Sequence, residues 1–525
     1  MPQHLFPRPF GRRAALAVVG VVTAGALAVT GCESAVNSSE QPSGDKKGGS
    51  LTIVQSADID PATFLAQNNP NFSVIRNVFN TLTAYDHDTL QPQPELATSW
   101  EQSSDGRSIT LQLRDDVTFH SGRPFTAADV IFTIKALQRE DVISQLKHVA
   151  LAITGMEAHG SHSVTLRLNH PVSNLFDLFE MTPIVDRQTF DDLLAGRQII
   201  GTGPFEVVQY TPGSGVKMTS NDDYWVKGRP YLDAVNISVQ SQSQSMLSSL
   251  QSGQSQLALD LAPLDTVALE GDPNFQVVES EASDAAYYVG SNVTIPPLDD
   301  PVARQGIAWA IDRDRILDQA LGGIGETSSL PWAPSTSPAF DAEKAQTYSQ
   351  DLGKARQLIQ QAGATGAKVN VAFNSGFPTN QAIAEIVQFN LKEAGLKATL
   401  VPLQEADFLA KLGTGDLPGL FVNVHGFGQL SPATLVKGAF PFNADANASN
   451  FDSDQYRRIA DQLWTTTGEA QAETTYDQVN DFLLEQQFIS DLVVSTHTFT
   501  ISTSLKGVDY NMYDYLNLDN AYLSE

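Results

Sequence analysis

The sequence predicts an α/β protein with at least two lobes. Its 525 residues exceed the length that one hydrophobic core usually supports, because single cores stop growing at about 250–300 residues. A composition of 42% hydrophobic and 18% charged residues is typical of a folded globular chain. Between about residues 301 and 416, helical patterns alternate with short strand patterns, which indicates a sheet covered by helices.

The first 31 residues have the pattern of a secretory signal peptide. A basic start with Arg8, Arg12 and Arg13 precedes an uncharged run of apolar and small residues from 14 to 30. A membrane-spanning helix is the alternative, but the run is short and a polar segment follows it directly. The adjacent Arg12 and Arg13 also resemble a twin-arginine signal, so both export routes stay open.

Cys32 follows this run and is the only cysteine in the chain, so it can form no internal disulfide. Val29, Thr30, Gly31 and Cys32 resemble the bacterial lipobox, in which the cysteine sulfur is linked to diacylglycerol. Two acyl chains give stable anchoring where one chain is marginal. We therefore predict that lipidated Cys32 and a flexible tether, residues 32–50, hold the mature protein on the extracytoplasmic face of the cell membrane.

The acidic charge narrows the range of partners. The chain has 60 Asp and Glu against 32 Lys and Arg, which gives a formal net charge of -28. Most of such a surface repels polyanions, so we expect no nucleic-acid partner. The overall charge does not select a cationic ligand, because a solvated acidic surface accounts for it.

Local patterns place the first elements. The apolar run 51–54 predicts a strand, and Ile109, Leu111 and Leu113 alternate with polar residues as in a strand with one buried face. Thr126 stands three residues before an aspartate and an apolar run, which predicts a helix N-terminus with a capping box.

In the region after residue 301, one helix shows apolar residues at helical spacing and ends at Gly395. Strands over 368–373 and 396–403 flank it. The apolar residues of this helix are Ile383, Ile386, Val387, Leu391 and Ala394.

A long motif carries a family resemblance. Its parts are Tyr85-Asp86, residues 94–100, Asp105-Gly106, residues 113–130, residues 201–205, Asn221 with Tyr224-Trp225, and residues 304–313. Their order, spacing and residue types resemble the signature of the dipeptide, oligopeptide and nickel solute-binding proteins of ABC importers. The resemblance extends from about residue 51 to the end and is weakest after residue 420.

The resemblance implies a two-lobed, periplasmic-binding-protein-like α/β fold with a ligand cleft between the lobes and hinge crossings near 288–292 and 490–498. Lobe I would contain residues 51–290 and 491–525, and lobe II residues 291–490. The resemblance also implies a monomeric solute-binding protein without a cofactor, which delivers its ligand to an ABC permease and ATPase complex. A peptide is the implied solute, and a sugar oligomer, an opine or a metal chelate is the alternative.

Relatives that bind peptides often carry an aspartate in a Trp-x-x-Asp segment of the second lobe, where it pairs with the ligand ammonium. The corresponding segment here, residues 421–430, contains no aspartate. A buried ammonium without a carboxylate is costly, so backbone carbonyls or Asp445 would have to substitute. His425, Phe427 and Gln429 in this segment combine aromatic surface with hydrogen-bonding groups, and we expect them to contact ligand. Simple packing is the alternative for His425 and Phe427.

Asn292 and Trp332 are further candidate ligand contacts, since they follow an apolar strand and a Gly-rich loop near the inferred hinge. Ordinary core packing is the alternative for each. His159 and His162 have a spacing found in metal sites, but no third ligand stands nearby, so we predict no metal.

An enzyme and a binding protein that has lost transport are the two alternative classes. The sequence contains no Gly-x-Ser-x-Gly, His-Glu-x-x-His, Walker or Gly-x-Gly-x-x-Gly motif, and the family landmarks favour binding, so we predict no enzyme. A glycosidase that uses two carboxylates has no fixed spacing to search for. A sensor, adhesin or chaperone that has lost transport would look the same, and neighbouring permease and ATPase genes would separate these cases.

Overall fold

The computed structural model describes residues 48–426, 428, 430–466 and 469–524. The predicted signal peptide, Cys32 and most of the tether lie outside the described residues, as do Phe427 and Gln429. Within these ranges no helix has the length and apolar character needed to cross a membrane.

The strands are short, apart from two. They are β1 Ser50–Gln55, β2 Thr83–Tyr85, β3 Pro92–Pro94, β4 Ala97–Gln102, β5 Ser108–Leu113, β6 Ile153–Ala158, β7 Ser163–Leu168, β8 Phe205–Thr211, β9 Gly215–Ser220, β10 Ala234–Val239, β11 Leu257–Ala258, β12 Phe275–Ser291, β13 Glu326–Thr327, β14 Lys368–Asn374, β15 Lys397–Leu403, β16 Leu420–His425, β17 Ile489–Ser502, β18 Leu505–Lys506, β19 Asp509–Tyr510, β20 Leu516–Asn517 and β21 Tyr522–Leu523.

Helices alternate with these strands, most densely after residue 300. They are α1 Phe72–Val78, α2 Ala127–Gln138, α3 Lys147–Ala152, α4 Leu175–Met181, α5 Phe190–Leu194, α6 Ser243–Gln251, α7 Pro263–Val267, α8 Pro301–Ala310, α9 Arg313–Ala320, α10 Leu352–Gln361, α11 Pro378–Glu393, α12 Glu405–Thr414, α13 Pro432–Gly438, α14 Asp454–Thr465 and α15 Glu469–Gln486, with 3-10 turns at Pro61–Thr63, Asn69–Asn71 and Lys344–Gln346.

The largest sheet has the strand order β15-β14-β16-β12-β17-β11-β1-β10-β9-β8, and β13 pairs with β17 beside this path. At one end, β14 is parallel to both β15 and β16. Towards the other end, β1 is parallel to both β10 and β11. The two long antiparallel strands β12 and β17 form a ribbon that joins these parallel groups.

The local predictions for the first elements are confirmed. Strand β1 contains the predicted run 51–54, and β5 buries Ile109, Leu111 and Leu113 on one face. At the start of α2, the Asp129 carboxylate accepts hydrogen bonds from both the backbone N and the Oγ1 of Thr126, each at 3.0 Å. This is the predicted capping box.

Buried apolar side chains form separate cores in the two halves of the molecule. The largest core joins residues between 51 and 259 to C-terminal residues between 499 and 521, and we call this part the first lobe. Two adjoining cores use residues between 288 and 493, and we call this part the second lobe. The molecule is therefore a two-lobed α/β protein, as the sequence predicts.

The lobes also touch directly through α4 and its approach on one side and helices α13 and α14 on the other. Trp464 donates from Nε1 to the Asn174 side-chain oxygen at 3.1 Å. Asn174 in turn donates from Nδ2 to the Thr434 hydroxyl at 3.0 Å. Ser173 donates its hydroxyl to the Leu463 carbonyl at 3.0 Å. We call these contacts the interlobe latch.

Candidate functional site

A cavity of about 670 Å³ lies between the lobes, and the strand ends explain its position. The carboxyl ends of parallel strands lie at the same edge of a sheet, where open α/β sheets bind ligands. In the first lobe, residues after β1, β10 and β11 line the cavity, among them Asp58, Ser241 and Asp260. In the second lobe, residues at or after the ends of β14 and β16 do so, among them Asn374 and His425.

The β12–β17 ribbon supplies the wall between these two edges. Ala285 and Tyr287 from β12 and Ser495, Thr496 and Thr498 from β17 line the cavity. Burial raises the pKa of Tyr287 to about 12, so its phenol is neutral at physiological pH and is available as a hydrogen-bond donor. Relative movement of the lobes would therefore act on the same ribbon that contacts the cavity.

The first-lobe wall of the cavity is acidic. Asp260 accepts hydrogen bonds at Oδ2 from the Ser56 backbone N at 2.8 Å and from the Ser56 hydroxyl at 3.0 Å. Asp58 accepts at Oδ2 from the Gly213 backbone N at 2.6 Å and from the Tyr210 hydroxyl at 3.2 Å. Burial and the neighbouring Asp58 raise the pKa of Tyr210 to about 12. The hydrogen-bond donors that hold Asp58 and Asp260 are thus backbone amides and hydroxyls.

The second-lobe wall carries four exposed large apolar side chains, beside polar ones such as Glu405 and Asn374. Phe377, Leu409, Val424 and Phe440 line the cavity with 38%, 53%, 37% and 38% of their surface accessible. Phe408 also lines the cavity but is buried, and it belongs to a core of the second lobe. Acidic side chains are therefore more numerous on the first-lobe wall, and the exposed large apolar side chains lie on the second-lobe wall.

His425 lies at the end of β16 and lines the cavity, although only 7% of its surface is exposed. Its ring packs against Tyr288 and Phe442, with centroid distances of 5.8 and 5.1 Å. Its Nε2 lies 3.9 Å from Oδ1 of Asp491, too far for a hydrogen bond. Neither ring nitrogen has a hydrogen-bond partner among the residues described. Burial raises the pKa of the Asp491 carboxyl, and the nearby His425 opposes that rise.

Asn292 and Trp332, the other predicted ligand contacts, are placed in the protein interior and do not line the cavity. Asn292 donates from Nδ2 to the carbonyls of Gly415 at 3.1 Å and Leu417 at 2.8 Å. Trp332 donates from Nε1 to the Asn480 side-chain oxygen at 2.5 Å. Both side chains hold the second lobe together here, and their contact with ligand stays a prediction.

The other groups named from sequence have local partners. Lys437 Nζ lies 2.8 Å from Asp445, which does not line the cavity. His159 Nε2 lies 2.9 Å from the Thr165 hydroxyl, and His162 Nδ1 lies 3.1 Å from the Arg114 carbonyl. Each histidine is therefore accounted for by a contact within its own hairpin or with the adjacent loop.

Sequence reasoning missed Asp58, Asp260 and the apolar wall. One signal was present, since a predicted strand ends just before Asp58 and ligands gather at strand ends. Strand β11, which places Asp260, has only the two residues Leu257–Ala258 and leaves no periodic pattern to read.

Fold and cavity together define a solute-binding protein with two lobes. Residues 91–452 match the family model described as bacterial extracellular solute-binding proteins, family 5 Middle. Because this match covers more than half of the 525 residues, the chain belongs to that family of extracellular solute-binding proteins.

Individual relatives extend the similarity over most of the chain. The chain is 25% identical to di/tripeptide-binding protein 1 of Pseudomonas aeruginosa strain UCBPP-PA14, covering 84% of this chain and 87% of the relative. It is 23% identical to the oligopeptide-binding protein AppA of Bacillus subtilis strain 168, covering 98% and 99%.

Solved structures support the same fold. The periplasmic binding protein AgaA from A. tumefaciens R10, in complex with agropinic acid, superposes with a TM-score of 0.82 at 23% identity, covering 91% of this chain and 99% of that one. The periplasmic binding protein DppA from Helicobacter pylori, in complex with the peptide STSA, gives 0.81 at 22% identity, covering 92% and 99%.

Proposed function

We propose that this protein captures a short peptide outside the cell, in the cavity between its lobes, and delivers it to an ABC permease and ATPase complex. The cavity is the observation that carries the proposal: its volume of about 670 Å³ falls within the range of about 300–1,000 Å³ typical of small-molecule sites. Membership of the solute-binding family and the names of the peptide-binding relatives support a peptide as the solute.

Capture would work by closure of the two lobes about the β12–β17 ribbon. A solute that contacts both walls favours the closed state, because only then are both sets of contacts made. The importer could then distinguish loaded from empty protein by shape. For this role we propose lobe boundaries of 51–290 with 491–525 and 291–490, and a monomeric binding protein.

Among the second-lobe residues, we propose His425 as a ligand contact because it lines the cavity and its ring nitrogens lack hydrogen-bond partners within the described residues. Phe427 and Gln429, two and four positions further along the chain, stay proposed contacts on the sequence pattern alone. The substitution His425→Phe keeps an aromatic ring in the cluster and removes both nitrogens, so loss of peptide affinity without loss of stability would support a binding role.

We also propose attachment to the outer face of the cell membrane through diacylglycerol on Cys32, after removal of residues 1–31. The basic start, the apolar run and the single cysteine support this arrangement. Metabolic labelling with a radioactive fatty acid should mark the wild-type protein, while a Cys32→Ser variant should carry no label. Label on the variant would rule out Cys32 as the lipidated residue.

The binding role is tested with full-length protein expressed in a bacterium and purified after export. Calorimetric titration with short peptides should give saturable binding, and mass spectrometry of the released peptide should show it unhydrolysed. Cells that lack the protein should lose uptake of the same labelled peptide. Turnover of the peptide, or binding of sugars, opines or metal chelates in place of every peptide tried, would contradict the proposal.

A further inference from the structure

We infer that the cavity selects peptides that carry a net positive charge together with a large apolar side chain. This inference rests on the proposed function and narrows its substrate class. It depends on two independent features of the cavity: the acidic first-lobe wall and the exposed apolar second-lobe wall.

The acidic wall has uncompensated charge. Asp58 and Asp260 are half-buried, and Asp60 stands close to Asp58 at the same strand end. Within the described part of the chain, their hydrogen-bond donors are backbone amides and hydroxyls, and none of the three forms an ion pair with lysine or arginine. A cationic group on the solute would supply the missing opposite charge at short range.

Lysine and arginine are also missing from the rest of the cavity lining that the structure describes. Among the described residues that line it, none is lysine or arginine, and the acidic members are Asp58, Asp60, Asp260, Glu405 and Asp514. A solute that brings an extra carboxylate would lose water around that group and gain no cationic partner, which is costly. The expected charge preference depends on the residues that face the cavity, and the net charge of the whole chain would not establish it.

The apolar wall supplies the second half of the selectivity. Phe377 and Phe440 expose 38% of their surface, and Leu409 exposes 53% on helix α12. Contiguous exposed apolar surface on a soluble protein marks a binding site, and covering it removes that surface from water at about 25 cal/mol per Å². Leucine, phenylalanine or a similar side chain of the peptide fits this wall.

Four tripeptides separate the two features by calorimetric titration of the purified full-length protein at low ionic strength. Leu-Lys-Leu should bind roughly 10-fold more tightly than Leu-Gln-Leu, and Leu-Glu-Leu should bind more weakly than both. Ala-Lys-Ala should bind roughly 10-fold more weakly than Leu-Lys-Leu. Amidation of the C-terminus of Leu-Lys-Leu should not weaken binding, because no cationic side chain awaits the carboxylate among the lining residues described.

Variants locate each preference. Asp58→Asn and Asp260→Asn should each reduce the preference for Leu-Lys-Leu over Leu-Gln-Leu by roughly 3-fold, while Glu101→Gln, an exposed acid on β4 outside the cavity, should leave it unchanged. Leu409→Ser should weaken Leu-Lys-Leu and spare Ala-Lys-Ala. Leu151→Ser is the matched control, because Leu151 is also 53% exposed on a helix but does not line the cavity.

The results distinguish failure of the proposed peptide-binding function from failure of the inferred selectivity. If no peptide binds, both the proposed function and the inferred selectivity are wrong. If the peptides bind but Leu-Glu-Leu binds as tightly as Leu-Lys-Leu, the charge preference is wrong while the peptide-binding role stands. Equal binding of Ala-Lys-Ala and Leu-Lys-Leu would overturn the apolar preference in the same way.

Discussion

The Thr434 hydroxyl of α13 donates a hydrogen bond to the Asp177 carboxylate of α4, and this bond crosses from the second lobe to the first. Asp177 is fully buried and also accepts from the Tyr85 hydroxyl at 2.8 Å. Because α4 and α13 belong to different cores, the bond can form only when the lobes meet. It therefore extends the interlobe latch and couples lobe contact to a buried carboxyl group.

Loss of the Thr434 hydroxyl should weaken ligand binding. A hydrogen bond to a charged group contributes about 1.5–3 kcal/mol, so Thr434→Val should lower peptide affinity about 10-fold by disfavouring the closed state. Calorimetry measures the affinity. Thr475→Val is the control, since its buried hydroxyl donates to the Gln471 carbonyl within its own helix. Equal effects of the two variants would show that the latch has no part in closure.

Asp177 should also make stability depend on pH. Burial raises the pKa of Asp177 to about 6, against the opposing donors Thr434 and Tyr85. The native protein thus holds a proton that the unfolded chain releases near pH 4, so this group stabilises the fold at low pH and loses that effect as pH rises through 6. Between pH 4.5 and 7, the free energy of unfolding of Asp177→Asn should rise by about 2 kcal/mol relative to that of wild type.

Urea unfolding of both proteins at the two pH values measures this difference. Asp105→Asn is the control, because hydrogen bonding from Ser103 lowers the pKa of this exposed carboxyl and places its titration below the measured range. A constant difference between wild type and Asp177→Asn across the range would mean that Asp177 is ionised throughout.

Asn292 should contribute to the stability of the second lobe. Truncation in Asn292→Ala leaves the Leu417 carbonyl without its donor in the interior, which should cost about 2–3 kcal/mol of unfolding free energy. Asn370→Ala removes an exposed amide that donates to the Pro418 carbonyl and should cost less than about 0.5 kcal/mol. Peptide affinity measured on folded Asn292→Ala tests the predicted ligand contact separately, since a 10-fold loss would support that contact and wild-type affinity would contradict it.

Local chemistry explains which parts of the fold could be predicted. The capping box of Thr126 and Asp129 and the alternation in β5 depend on neighbours within a few positions, so the sequence displays them directly. The cavity depends on strand order: the pairing of β1 with β11 brings the Asp260 carboxylate into hydrogen-bond contact with Ser56, 204 positions away along the chain. No pattern among neighbouring residues in the sequence predicts this contact between distant segments.

The same reasoning explains the placement of Trp332. Its position after a Gly-rich loop indicated a hinge, but its indole is fully buried and bonds to Asn480, 148 positions along the chain. A large aromatic residue in a loop is compatible with ligand contact and with core packing, and the sequence does not show which residue its side chain contacts. The motif that identifies the family likewise says little about ligand, because most of it builds the first lobe.

A variant that fills the cavity between the lobes shows whether solute binds there. Gly426 lines the cavity, and a Cβ added there would meet no atom of the described residues within 4 Å, so Gly426→Trp should occupy the cavity without straining the backbone. Gly413→Trp is the matched control, because Gly413 has the same open surroundings on α12 and does not line the cavity.

Native mass spectrometry of gently purified protein gives the readout. If solute binds in the cavity, wild type and Gly413→Trp should carry bound peptide masses. Folded Gly426→Trp should be empty. Retention of the same bound masses by Gly426→Trp would place the binding site elsewhere and contradict binding in the cavity between the lobes.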